Sequence, residues 1–243
     1  MPQNVGPIEW TEDALTLRRC VYEHWCRHGV GPNLLDVHRA TGLDRRRIVQ
    51  AYKQLQLGII CVVTEDTQNA NLLKFQPFSS FPSQVKSFVD GEFHSYVGCA
   101  MESMAFSKMP PFAGKEVRFE GWCACCFEPI SFTSRDGGVA TDRSHPDFRI
   151  HVSTSPWDWN NVDIVPMCDS MNFVVDAEHA DRYEHQIARR GVLVTPEQGI
   201  LFVSSVADNR MWDFHWPAGS MTPGPIINGL RALGVDTSPW GEP

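Results

Sequence analysis

Residues 95–106 read SYVGCAMESMAF, and the local structure taken by this stretch decides what the rest of the chain can be. Gly98-Cys99 precedes a run that reads as the start of a helix, which Pro110-Pro111 stops. On a helix, Cys99 and Glu102 are i,i+3 neighbours on one face. A helix N-terminus lowers a thiol's pKa and favours the nucleophilic thiolate. An acid one turn away can then pass a proton to a leaving group. The spacing alone leaves a plainer reading open, that of a buried Cys beside a solvated acid.

Downstream, the texture is one of short strands and turns. KEVRFEGW (115–122) and PISFTS (129–134) read as strands flanking Trp122-Cys123-Ala124-Cys125-Cys126. FRIHVST (148–154) and VDIVPM (162–167) read as two more strands, while RDGGVATDRSHPD (135–147) reads as an exposed loop. Asp176 can cap a helix running to Arg190, closed by Gly191. VLVT (192–195) is then a strand, and Thr195-Pro196-Glu197-Gln198 opens another helix by capping-box logic. The Pro- and Gly-rich tail from 218 is expected to lie over the surface.

Upstream, Ala14, Leu17, Val21 and Trp25 form one apolar stripe with Gly29 as its C′ residue. Asn33 can cap a helix over LLDVHRAT that Gly42 ends, and Asp44 one lined by Ile48, Tyr52 and Leu55 and ended by Gly58. IICVV (59–63), the polar TEDTQNAN (64–71) and LLKFQPF (72–78) follow, the order of a winged helix with the polar segment as wing tip. Arg45-Arg46-Arg47 open the third helix, either as a phosphate-contacting start or as a solvated face of a packing domain. The formal net charge of −8 argues for the second, since nucleic-acid binders carry the opposite balance. No nucleic acid and no membrane are expected among the partners; a small-molecule substrate is, and the oligomeric state is left open. The apolar runs fall short of the ~18 residues of a membrane span. The start, MPQNVGPIEW, lacks the pattern of a secretory signal, which points to a cytoplasmic protein.

Eight Cys in 243 residues fall well short of a disulfide scaffold. Cys20, Cys26 and Cys61 sit in the apolar pattern of the first 75 residues and read as core. Cys123-x-x-Cys126 is an incomplete zinc half-site, because no second ligand pair has suitable spacing, and it lacks the strand-then-helix context of a redox pair. Strand-end cysteines packed in the core are the expectation there. Trp212, Phe214 and Trp216 read as aromatics packing on the core, with a contact surface or a lid as the alternatives.

Taken together, several stretches resemble the alkylmercury (organomercurial) lyases. SYVGCAMESMAF is similar to that family's Cys-Ala-Leu-Asp motif, and GKEVRFEGWCACCFEPISFT (114–133) to its Gly-basic, strand, Cys, Pro, strand segment. PMCDSMNFVV (166–175) resembles the segment with the second active-site Cys, and the helix holding Tyr183, VLVT and TPEQGI continue in family order. The resemblance spans most of 11–207, the loop at 135–147 excepted. It implies an α+β fold, with a winged-helix-like domain (1–75), a mixed-sheet core of the lyase type (76–217) and a tail (218–243). It implies that Cys99 and Cys168 bind mercury and flank the reaction, that Glu102 moves the proton, and that Cys123 is structural. It implies no organic cofactor, with free thiols removing Hg(II). Glu102 stands where most members carry Asp, and an extra methylene shifts a carboxyl by roughly 1 Å. Cys125, Cys126 and Asp169-Ser170 are further departures from the pattern. Two alternatives therefore stand beside the carbon–mercury lyase. One is a divergent relative using Cys99, Glu102 and Cys168 on another small molecule. The other is a winged-helix regulator that senses thiols or metals.

Overall fold

The computed structural model describes residues 8–64, 70–138, 140–159, 164–203, 213–215 and 223–241. Residues 65–69 of the expected wing tip (64–71), Trp212 and Trp216 lie outside these. Helix α1 (Glu12–His28) is capped by Thr11 and ends at Gly29, whose φ of 71° is the left-handed conformation glycine takes freely. Helix α2 (Leu34–Thr41) starts in a reciprocal Asn33/Asp36 capping box, and α3 (Arg45–Leu57) on the Asp44 side chain. Ala14, Leu17, Val21 and Trp25 of α1 are fully buried, as their spacing requires. Cys61 is buried too, whereas Cys20 and Cys26 are only half-buried, because they lie beside the apolar stripe rather than on it.

The rest is α+β, but the expected mixed sheet is replaced by two sheets in which every strand pairing among the described residues is antiparallel. Strands β1 (Cys61–Val63), β2 (Leu72–Phe75), β3 (Phe78–Ser79), β4 (Val85–Val89), β5 (Glu92–Val97), β6 (Glu116–Trp122) and β7 (Pro129–Arg135) form one sheet. Its order is β1-β2-β3-β5-β4-β6-β7. Strands β8 (Arg149–Val152), β9 (Met171–Val174) and β10 (Val192–Val194) form the other, in the order β10-β8-β9. Alternation puts Val117 and Phe119 of β6 and Ile130 and Phe132 of β7 on the buried face. Helix α4 (Ala100–Phe106) packs against β4 and β5 of the large sheet, against β9 of the small one, and against α7 (Pro196–Phe202). Gly199 lets α7 come this close, since a Cβ there would sit 3.0 Å from Met104 Cγ.

Further expectations are corrected. VDIVPM does not form a strand: Ile164–Asp169 is a helix, α5, because a short apolar run is equally compatible with a buried helix. Helix α6 (Ala177–Ile187) is closed by Ala188, at φ 50°, rather than by Gly191. Gly191 is small for a different reason, as a Cβ there would meet the buried His151 ring at 2.4 Å. The tail does not merely lie on the surface: α8 (Pro223–Ala232) buries Ile226, Ile227 and Leu230. The loop at 135–147 also folds back on β7, with backbone hydrogen bonds between Thr133 and Thr141 and from Ser144 to Ser131. Its Arg143 pairs with Glu197 at the start of α7.

Aromatic contacts knit the helical part to the sheet. Phe78 is stacked on Trp25 at 5.3 Å and meets Tyr22, His94 and Phe106 edge-on or tilted. Phe106 continues the chain of rings to Phe119, Phe132, Phe148 and Phe173. Phe214 packs on Tyr22, and its carbonyl accepts from Arg18. Because Phe78 is fully buried at this junction, Phe78→Ala is expected to cost about 3–5 kcal/mol in chemical denaturation. A loss below about 1 kcal/mol would show that the junction does not bear on stability.

Candidate active site

Gly98 and Cys99 form the two-residue link from β5 into α4. The Gly98 N–H donates to the Pro77 carbonyl at 2.7 Å, and the Cys99 carbonyl accepts from Ser103 N–H at 3.3 Å, which fixes Cys99 at the head of the helix. Glu102 occupies the first turn of α4. Cys168 lies near the end of α5, just before β9. The fold thus brings together two cysteines far apart in sequence. The ligand atoms of Cys99, Glu102 and Cys168 all lie within 4.8 Å of one another, and all three residues are buried. Among the described residues no other group of three or more Cys, His, Asp or Glu side chains is so placed. Cys123, Cys125 and Cys126 are elsewhere.

Local contacts orient each group. The Cys168 thiol points at Glu102 Oε2, 3.8 Å away, and Cys99 Sγ lies 3.9 Å from Met171 Sδ. The Glu102 carboxylate folds back over Gly98 so closely that a Cβ on that residue would stand 2.1 Å from Oε2. Glycine is therefore needed here for space, not for its backbone conformation.

A fourth residue completes the site. Lys74, on β2, is fully buried, and its ammonium donates to the Gly98 carbonyl and to Asp169 Oδ1, both at 3.3 Å. Each partner is the immediate neighbour of a site cysteine. Burial alone would lower the lysine's pKa, but the acidic groups of Cys168, Asp169, Glu102 and Cys99 outweigh it and hold the pKa above its ordinary value. The Cys168 thiol is pushed well up, first by its hydrogen bond with Cys99, then by burial and by the Glu102 and Cys99 charges, with Lys74 pulling the other way. Cys168 thus rests as the protonated thiol.

Lys74 was not singled out in the sequence. Its signal is a lysine inside an apolar strand, Leu72-Leu73-Lys74-Phe75, on the buried side of the alternation. Among the Cys123 cluster only Cys123 is buried; Cys125 is half-buried and Cys126 exposed, because β6 ends at Trp122 and residues 124–126 turn outward. Chemically, two thiols, one carboxyl group and a buried cation make a buried donor set able to hold a soft, thiophilic atom beside a proton carrier.

The comparisons with known proteins bear on family and fold. The family model described as alkylmercury lyase matches residues 78–207, the span that carries Cys99, Glu102 and Cys168. A solved structure described as the mercury-bound form of MerB2 shares the fold with a TM-score of 0.61 at 18% identity, covering 79% of this chain and 88% of that one. No curated protein matches the chain.

The charge arrangement makes a prediction about titration. Lys74 holds the Cys168 pKa down, so Lys74→Met is expected to move the pH dependence of Cys168 alkylation to higher pH. Peptide mass spectrometry after timed alkylation reads this directly. An unchanged or acid-shifted profile would show that Lys74 does not act on the thiol.

Proposed function

The chain belongs to the alkylmercury lyase family, and from that premise we propose that it cleaves carbon–mercury bonds by protonolysis at Cys99, Cys168 and Glu102. The observation that carries this reading is the convergence of two buried thiols and one buried carboxyl group within 4.8 Å. The substrate mercury is a soft ion that prefers thiolate ligands. Cys99 takes it from its outgoing ligand, which leaves with the thiol proton. Cys168 then adds its sulfur and gives its proton to Glu102, along the contact seen at 3.8 Å. With two thiolates donating, the mercury-bound carbon gains negative character. Glu102 returns the proton to that carbon as the carbon–mercury electron pair leaves the metal for it. The products are a hydrocarbon and Hg(II) on two thiolates, without change of oxidation state. Added thiols then carry the ion away, and no organic cofactor takes part.

Lys74 fits this scheme as the charge that makes two thiolates tolerable in a buried site. Glu102, longer than the aspartate that the family resemblance implies, fits because its extra length folds over Gly98. The three N-terminal helices and the β1–β2 hairpin follow the order of a winged helix, and we take them to be a packing module. Arg47 of the basic run is committed to a two-pronged pair with Asp13, at 2.8 and 2.6 Å, which disfavours a DNA-contacting role. No helix of the described residues is long and apolar enough to cross a membrane.

Reduced protein is expected to release benzene from phenylmercury, with Cys99→Ser and Cys168→Ser abolishing release. Glu102→Gln should still bind mercury yet release hydrocarbon at least about 100-fold more slowly. Wild-type protein that binds phenylmercury but releases nothing would transfer the site to another small molecule, and Glu102→Asp gaining release would say that the glutamate made the difference. A separate expectation concerns Gly98→Ala. The clash is with the far end of a flexible side chain, so the melting temperature should hold while turnover falls about tenfold or more through the displaced carboxyl group. Full turnover in a folded Gly98→Ala protein would contradict the packing argument.

A further inference from the structure

A third sulfur stands at the site without a part in the scheme above. Met171 opens β9, and its Sδ lies 3.9 Å from Cys99 Sγ, which directs its thiol proton at it. Met171 is buried, like the two cysteines. Its position is fixed from both sides. Behind it, the Ser170 N–H and hydroxyl both donate to the Met167 carbonyl, at 3.3 and 2.7 Å, and the Ser153 N–H donates to the Ser170 carbonyl at 2.9 Å. Ahead of it, the Asn172 amide donates to the Asp169 carbonyl at 2.8 Å, and Met171 itself pairs in register with Val152 of β8. The turn that carries Cys168 into the sheet therefore also delivers Met171 to Cys99. A thiol is a weak donor and a thioether a weak acceptor, so this contact is readily exchanged for a stronger one. Its length suits such an exchange. Two sulfurs bonded to one metal at about 2.3 Å, the zinc–thiolate length, stand about 3.8 Å apart at a tetrahedral angle.

We propose that Met171 is the third sulfur ligand of the substrate mercury, beside Cys99 and Cys168; the assignment rests on the mercury reading of the site. A thioether is soft and polarisable, so it suits a soft ion. It is also neutral. Cys99, Glu102 and Cys168 already crowd three acidic groups into one buried place beside Lys74, and a further anionic ligand would add to their repulsion. Met171 adds donation without adding charge. When Cys99 takes the ion, the thiol proton leaves with the outgoing ligand, and a sulfur–mercury bond takes that proton's place. The Met171 lone pair that had accepted the proton then faces mercury, and a dative sulfur–mercury bond replaces the hydrogen bond. No electron is transferred, and no proton passes to Met171. When added thiols remove Hg(II), the dative bond breaks and Cys99 regains a proton from an incoming thiol. A leucine at this position would fill a similar volume but offer no lone pair.

The test is the ligand shell of the bound ion, read by X-ray absorption at the mercury edge. The full chain is grown with selenomethionine and loaded with one equivalent of Hg(II). One selenium is expected among the nearest neighbours of the mercury, beside two sulfurs. Met171→Leu, which conserves volume and so keeps the fold, should lose that selenium completely while still binding the ion. Met101→Leu and Met104→Leu should keep it, since these side chains face Gly199 of α7. The native sequence carries the decisive measurement, so a poorly folded variant does not block it. Mercury held by sulfur alone in the selenomethionine protein, or a selenium neighbour that survives Met171→Leu, would each overturn the assignment. Mercury held with selenium by a chain that releases no hydrocarbon would support Met171 and count against the lyase reading. Hydrocarbon release with no selenium at the mercury would do the reverse.

Discussion

Everything at the site depends on one buried cation. Lys74 sits in the core with its ammonium on the Gly98 carbonyl and the Asp169 carboxylate. An uncompensated buried charge costs several kcal/mol, so the lysine is tolerable only where acidic groups surround it. Two thiols, Glu102 and Asp169 supply them. The dependence is mutual. Two thiols and a carboxyl group packed within 4.8 Å would repel one another on ionising, and among the described residues the Lys74 charge opposes this for Cys168. The lysine also joins the residue before Cys99 to the residue after Cys168, so the same contact sets the electrostatics and holds the two cysteine-bearing segments in register.

That contact reaches across the fold. Lys74 comes from β2, at the end of the large sheet next to the N-terminal helices; Cys99 and Glu102 come from the β5–α4 junction, and Cys168 from the α5–β9 junction. Sheet order explains how they meet. Strand β3 pairs with both β2 and β5, placing Phe78 opposite both Phe75 and Val97. Helix α4 lies between this sheet and β9. Phe78 and Phe106 fill the space beneath, stacked or edge-on to Trp25 and Phe119. The helical N-terminal part is therefore mechanically part of the site, because the strand that follows it carries the cation.

What was legible in the sequence was whatever a local rule governs. Thr195 and Gln198 form their capping box, Asn33 and Asp44 cap their helices, and Gly29 and Gly42 turn left-handed where the apolar stripes end. The pairing of Cys99 with Cys168 came from resemblance in order and spacing, since residues 69 positions apart have no local rule to join them. Lys74 escaped because its role is set by what lies across the sheet, not by its own strand. Ile164–Asp169 escaped because an apolar hexamer has too few residues to separate a period of two from 3.6. The tail misled because Pro223 and Gly224 look like loop residues, although Pro is at home in a first helical turn and Ile226, Ile227 and Leu230 have a place to be buried.

Glu102 and Gly98 are best understood as one choice made twice. A glutamate at the second residue after Ala100 has a carboxyl group too far from the helix to stay beside Cys168 if it extends, so it must fold back. Folding back brings Oε2 to where the Cβ of any residue but glycine at position 98 would stand. The same glycine has its carbonyl on Lys74, so the carboxylate and the ammonium are set from one backbone point. An aspartate at position 102 would not reach that point and would leave the space over Gly98 empty. The departure from the shorter acid that the family resemblance implies is thus built into its surroundings: the longer side chain, the missing Cβ and the buried lysine form a set in which changing one member moves the other two.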